Sequence, residues 1–189
     1  MRDFKKYTPF VDEVKELTAY LLSNIDIKTF PIGEGLPQAL EQYGCYTREE
    51  IFTIFGRQTA EKRMQGSVSG VFNIEERNTE LLFVTLNKSD KDFSVSTMYD
   101  DYVVSERQFH WKSKNTDTHE GRGKRYVEQA INKKKFLLFV RADKTDGFNN
   151  TCPFYCFGLV DYISSRDDKP MSIDWHMHHP ILPQFIKAV

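Results

Sequence analysis

Apolar residues recur at helical spacing mainly in the first third of this chain. Phe10, Val14, Leu17 and Leu21 fall at three- and four-residue steps, which predicts an amphipathic helix. Pro37 to Tyr43 predicts a second, short helix that Gly44 stops. Thr47-Arg48-Glu49-Glu50 is a capping box, in which the threonine oxygen accepts an N3 amide and Glu50 reaches back to the cap amide; a third helix follows through Ile51, Ile54 and Phe55 and ends at Gly56. After Gly56 the pattern changes. Gly66 to Ile74, Leu81 to Leu86, Phe109 to Trp111, Phe136 to Arg141, Phe154 to Tyr162 and Met171 to Met177 are β-branched and aromatic runs bounded by Gly, Pro, Asn, Asp and Lys, the composition of strands. Between them, Tyr126 to Asn132 alone has helical spacing. The expected architecture is α+β: a small twisted β-barrel over residues 58–189, with a helical part over 1–57 packed outside it as one compact unit, rather than alternating βαβ units.

Length supports this, since 189 residues suffice for one domain with a real core. The longest strongly apolar run, Phe136 to Val140, is far too short to span a bilayer, and Met-Arg-Asp-Phe-Lys-Lys is followed by no apolar segment of signal-peptide type. No membrane partner is expected. Three cysteines without paired spacing fit a reducing compartment, so the expected location is the cytoplasm.

Charge changes the picture more. Glu106 to Lys144 holds 11 Lys or Arg against 5 acids, a local net of +6 in a chain whose total is −1. A basic block behind an acidic remainder is the footprint of a phosphate-bearing partner, which clustered cations bind by releasing counterions. Aromatic rings lie beside it at Tyr99, Tyr102, Phe109 and Trp111, as stacking on bases requires.

Catalytic and cofactor motifs fail in turn. Gly121-Arg-Gly123-Lys124-Arg125 resembles a phosphate loop, but Thr118 stands where the first glycine belongs and Arg125 where Ser or Thr should follow the lysine. Cys152 and Cys156 with His176, His178 and His179 suggest zinc, yet two cysteines four residues apart on one strand are separated by about 13 Å, too far to share an ion. Glu13-Val-Lys15 lies on the first helix, away from any strand end where a nuclease would gather its acids. Neither cofactor, metal nor enzymatic activity is expected of this chain.

The continuous segment Glu80 to Lys114, with Tyr99-Asp100-Asp101-Tyr102 and Phe109-His110-Trp111 inside it, closely resembles a domain of unknown function found at the C-terminal end of bacterial DEAD/DEAH-box helicases, often behind a phospholipase-D-like nuclease module. The resemblance takes in Tyr46 to Ile51, Gly123 to Tyr126, Phe136 to Arg141, Phe157 to Ser164 and Lys169 to Trp175. Where the family usually shows Gln-Ser-Gln, this chain has Lys112-Ser113-Lys114, exchanging amides for charge. A looser resemblance links the order of the last strands to the PUA-like superfamily, which includes readers of methylated bases. Together these imply the DNA-recognition part of a modification-dependent restriction protein, fused or docked to helicase and nuclease domains. A flipped base in an aromatic pocket is the sharper form.

The residues that would carry this are, for the base, Tyr99, Asp100, Asp101, Tyr102, Phe109, His110, Trp111 and Trp175. For phosphate they are Arg107, Lys112, Lys114, Arg122, Lys124 and Arg125. Two acids between two tyrosines are costly beside phosphate unless one accepts from an exocyclic amine. The competing expectation is that the rings are core, the acids cap a turn, and Lys133-Lys134-Lys135 merely guards a strand edge. In function, the rivals are a module that docks on its helicase or a partner subunit and, third, a nuclease.

Overall fold

The computed structural model describes residues 8–23, 28–33, 35–59, 61–62, 70–87 and 101–186. The first part contains α1 (Thr8–Ser23), β1 (Phe30–Pro31), β2 (Glu41–Gln42), β3 (Cys45–Tyr46) and α2 (Arg48–Ile54). The second contains β4 (Val71–Ile74), β5 (Thr79–Thr85), β6 (Tyr102–Ser105), β7 (Gln108–Lys112), α3 (Lys124–Val127), α4 (Gln129–Asn132), β8 (Lys135–Arg141), β9 (Phe154–Arg166), β10 (Ser172–Met177) and α5 (Pro183–Ile186). One sheet runs β4-β5-β8-β9-β10-β7-β6, with β3 added on β9. The fold is mixed and mostly β.

The inner strands explain the apolar runs. β8 lies between β5 and β9, and Phe136 to Val140 are all fully buried, because such a strand covers a core on each face. β5 and β8 pair in parallel from Thr79↔Lys135 to Thr85↔Arg141, a crossover that the spacing of apolar residues gives no sign of. Register shifts at Leu138/Phe139 and Asp174/Trp175 bend the sheet. As a result Val71, Leu82 and Val84 near one margin and Phe109 and Trp111 near the other contribute to one core. Among the described residues β4 and β6 remain the outer strands and no pairing joins them, so the expected closure into a barrel is not seen.

A second core fills the other face, where Ile51 and Phe52 of α2 pack with Leu81, Phe83, Leu137, Phe139 and Phe154. The capping box is present as expected: the Glu50 amide donates to Thr47 Oγ1 at 3.2 Å and the Thr47 amide to Glu50 Oε2 at 2.7 Å. Gly56, at φ +69°, follows the end of α2.

Two expectations are corrected. No helix forms over Pro37–Tyr43. Instead Gln42 donates its side-chain amide to the Phe157 carbonyl at 2.8 Å, the Tyr43 amide donates to the Cys156 carbonyl and the Cys156 amide to the Gly44 carbonyl. Pairing with β9 thereby outcompetes a short helix with little intrinsic stability. Lys133 to Lys135 do not guard an edge, since β8 is interior, and Lys134 Nζ lies 3.8 Å from the buried Glu80.

Candidate nucleic-acid interface

β7 ends at Lys112, β9 ends at Arg166 and β10 begins near them at Ser172, paired to both. Near this strand end lie some of the expected residues, Asp101, Tyr102, His110 and Lys112. Register sets Tyr102, His110, Asp174 and Ser164 side by side across β6, β7, β10 and β9. His110 Nδ1 lies 2.7 Å from Asp174 Oδ1, and Ser164 Oγ donates to Asp174 Oδ2 at 3.1 Å. Tyr102 stacks on the His110 ring at 4.8 Å and 29°, while keeping 37% of its surface exposed. Arg166 reaches to 3.6 Å from Asp174, with most of its side chain in solvent. The result is a tyrosine ring held by a fixed imidazole, beside an exposed guanidinium.

On the opposite face, Phe109, Trp111 and Trp175 are core residues, none more than 4% exposed. Alternation on β7 separates Phe109 and Trp111 from His110, which is also buried, beneath Tyr102. Trp175 packs against Phe136 at 5.0 Å, and Tyr126 stands edge-on to both Trp111 at 5.4 Å and Trp175 at 6.2 Å. Asp101 is buried and accepts the Lys112 backbone amide at 2.9 Å, so its first role is to hold the start of β6 against the end of β7. Tyr99 and Asp100 lie outside the described residues.

The expected phosphate ligands divide. Lys112 ends β7 and Lys114 lies just past it, Arg122 precedes α3, and Lys124 opens α3, largely exposed and 3.5 Å from Glu128. Burial, followed by Arg122, pulls the Lys114 ammonium below the usual lysine range. Arg107 is exposed in the β6–β7 turn, at the far end of β7 from Lys112, and donates to the His178 carbonyl. Arg125 is turned inward. Its guanidinium lies 2.7 Å from Glu80 Oε1, donates to the Tyr126 hydroxyl at 2.9 Å and covers the Tyr126 ring. A buried carboxylate attracts the nearest cation more strongly than solvent holds it, which removes Arg125 from the open surface.

Sequence reasoning missed Arg166 and the interior cluster of Glu80, Asp117 and Tyr126. Glu80 and Asp117 are fully buried. Burial raises the Glu80 carboxyl above the usual range, with Arg125 and Lys134 opposing, and raises the Tyr126 phenol further, helped by Glu80. Tyr126 therefore keeps its proton and donates to Asp117 Oδ2 at 3.4 Å. The clue was available in Glu80, a lone acid opening the apolar run of β5.

Cys156 is buried in β9, which pushes its thiol up to about 12, and Cys152 precedes that strand. Among the described residues no three His, Cys, Asp or Glu side chains gather as a metal site, and no helix is long and apolar enough to cross a membrane.

The model of one protein family, described as Domain of unknown function (DUF3427), matches residues 40–188. A comparison with curated proteins returns no match.

Proposed function

The chain belongs to the DUF3427 family, and from that premise we propose that it is a DNA-binding recognition domain of a bacterial defence protein, working beside helicase and nuclease domains in the cytoplasm. One observation carries the reading: Tyr102 is a ring stacked on His110, which Asp174 holds, partly open to solvent, with Lys112 ending the His110 strand and Arg166 against Asp174. A preordered aromatic platform beside cations suits a base and its phosphate, because little side-chain entropy remains to be lost on stacking. Modification-dependent reading and a PUA-like barrel extend the same proposal, on the strength of the sequence resemblance. In this role the domain recognises its target and leaves cutting and translocation to its neighbours.

The test is a titration of labelled single strands and duplexes, differing only in adenine or cytosine modification, across a range of salt. Binding should weaken steeply with ionic strength, by a log–log slope of about −0.9 per phosphate neutralised on duplex DNA. Arg122→Glu with Lys124→Glu should weaken every duplex alike and flatten the slope by about 2, since phosphate contacts carry no sequence information. Absence of binding at low salt would remove the proposal.

The rival reading, a protein-docking module, draws on α1, where Phe10, Val14 and Leu17 form an exposed stripe outside the residues matched by the family. A salt-insensitive interaction with a helicase subunit, lost on Leu17→Asp, would favour it.

A further inference from the structure

We propose that Ser165, His119 and Asp168 form a nucleophile, base and orienting acid that hydrolyse short-chain carboxylic esters, with the Tyr162 hydroxyl as donor to the oxyanion. This activity is separate from the nucleic-acid-binding role proposed above.

Four side chains form one hydrogen-bonded line. The His119 backbone amide donates to Asp168 Oδ1 at 2.8 Å, and Nδ1 of the same residue lies 2.9 Å from that oxygen. These two bonds, the backbone one first, hold the Asp168 carboxyl below the usual range. Asp168 is therefore an acceptor and Nδ1 carries the ring proton, which in a neutral imidazole leaves Nε2 as the base. Ser165 Oγ lies 2.7 Å from Nε2 and 2.7 Å from the Tyr162 hydroxyl. A serine hydroxyl has one proton, and giving it to Nε2 leaves the oxygen to accept from Tyr162. Acid, base and hydroxyl in this order, each within hydrogen-bond reach of the next, are the arrangement of an activated nucleophile, which is recognised by geometry and not by position in the chain.

Only the fold brings the line together. His119 belongs to the connection between β7 and α3, Tyr162 and Ser165 lie on β9, and Asp168 is in the turn to β10. That connection is anchored on both sides of His119: the Lys169 amide donates to the Asp117 carbonyl at 3.0 Å, and Gly123 sits so close to Met171 that a Cβ there would collide with its sulfur. Tyr162 is fixed as well, by its amide on Gln129 Oε1 and by its ring, edge-on to Trp175 at 6.3 Å. Groups held in place before substrate arrives need little reorganisation during reaction.

The site is open. His119 keeps 36% of its side chain exposed and Asp168 50%, so a substrate needs no unfolding to reach them. An ion pair this exposed adds only about 0–1 kcal/mol to stability, which leaves the arrangement weakly explained by folding. Tyr162 also lines, with Val127 and Ala130, a cleft of about 450 Å³. Open space with apolar lining thus begins within one side chain of the serine oxygen and has room for a short acyl chain.

The reaction follows from the line. Ser165 Oγ bonds to the ester carbonyl carbon while its proton passes to His119 Nε2, and the carbonyl electron pair moves onto oxygen. Tyr162 donates to that oxyanion, and Asp168 faces the imidazolium. Collapse re-forms the carbonyl and breaks the bond to the alkoxide, which leaves as the alcohol with the proton from Nε2. Water then repeats the sequence on the acyl-serine, releasing the carboxylic acid and restoring the Ser165 hydroxyl. One neutral donor on the serine oxygen suits the single charge of acyl transfer. Phosphoryl transfer draws on clustered cations, and the neighbouring Arg166 is engaged by Asp167 and Asp174.

The test uses the whole chain with two probes, a fluorophosphonate and p-nitrophenyl acetate. Peptide mass mapping should find the fluorophosphonate on Ser165, and p-nitrophenol should be released faster than by Ser165→Ala. His119→Gln should lower both rates by about 100-fold or more, the contribution of a general base. Asp168→Asn should lower kcat with little change in KM, because it disturbs the imidazole and leaves the cleft. Tyr162→Phe should slow ester hydrolysis by about 100-fold, as loss of one oxyanion donor does, with the ring packing retained. Circular dichroism identifies which variants are folded, and the labelling of the unaltered chain requires no variant. An unlabelled Ser165 in that chain, label retained in a folded His119→Gln variant, or ester hydrolysis no faster than in Ser165→Ala would overturn the proposal.

Discussion

His110 Nδ1 and Asp174 Oδ1 face each other at 2.7 Å across the β7–β10 pair, the histidine almost completely buried and the aspartate 15% exposed. Cross-strand register places them, and the stacked ring of Tyr102 seals the imidazole from above. Asp174→Ala leaves a buried ring nitrogen without its acceptor, which costs about 1–3 kcal/mol. Denaturant unfolding should show this loss, and Asp174→Asn should recover part of it. An Asp174→Ala variant of unchanged stability would mean that the pair fixes nothing, and would remove the reason for a rigid Tyr102.

Tyr102→Ala separates stacking from folding. The ring is partly exposed at the first position of β6, so stability should change little, while affinity for a single strand should fall by about 1–3 kcal/mol, the range for one base stacked on one ring. Anisotropy with a labelled strand, alongside a melting curve, checks both halves.

Glu80 makes stability depend on pH. Its folded carboxyl titrates above the usual range because burial opposes the charge. The folded chain thus holds that proton more tightly than the unfolded chain, whose glutamates titrate near about pH 4.3. This contribution is complete below that pH and is lost as pH rises through the folded value. The melting temperature of Glu80→Gln relative to the original chain should accordingly increase from about pH 4 toward neutrality. A difference of opposite slope would show that Arg125 and Lys134 outweigh burial.

Thr47→Ala removes the side-chain oxygen that accepts the Glu50 amide in the cap on α2, whose Ile51 and Phe52 seal the second core, and keeps the residue-47 amide on Glu50. The expected loss is about 1 kcal/mol, measurable by denaturant midpoint at constant m-value. Glu50→Ala should cost less, since the Thr47 oxygen would still accept the position-50 amide.

Gly158 adopts φ +83°, and a Cβ there would collide with the Gln42 side-chain amide. Gly158→Ala should destabilise by at least about 1 kcal/mol from backbone conformation alone. Combining it with Gln42→Ala should be less than additive, because the second change removes the collision. Strict additivity in unfolding free energies would place the whole cost in the backbone.

Local pattern determined a good deal of this protein. The capping box, the glycine after α2, the apolar runs of β5 and β8 and the helical interruption after Tyr126 were all legible, because each depends on neighbours within a few residues. The family resemblance from Tyr46 onward was legible too, and the match to residues 40–188 agrees with it. Beyond that reach the sequence was silent. The Pro37–Tyr43 segment became a turn and strand because β9, more than a hundred residues away, offered better hydrogen bonds than a single helical turn. Arg125 and Lys124 are adjacent and chemically alike, yet one pairs with an interior carboxylate and the other faces solvent. Only the parallel pairing of β5 with β8, which brings Glu80 alongside Phe136, decides which carboxylates are buried. Residue type told that cations and rings were present; tertiary burial, through the cost of an unpaired charge and the gain from covering an aromatic face, decided which of them meet solvent.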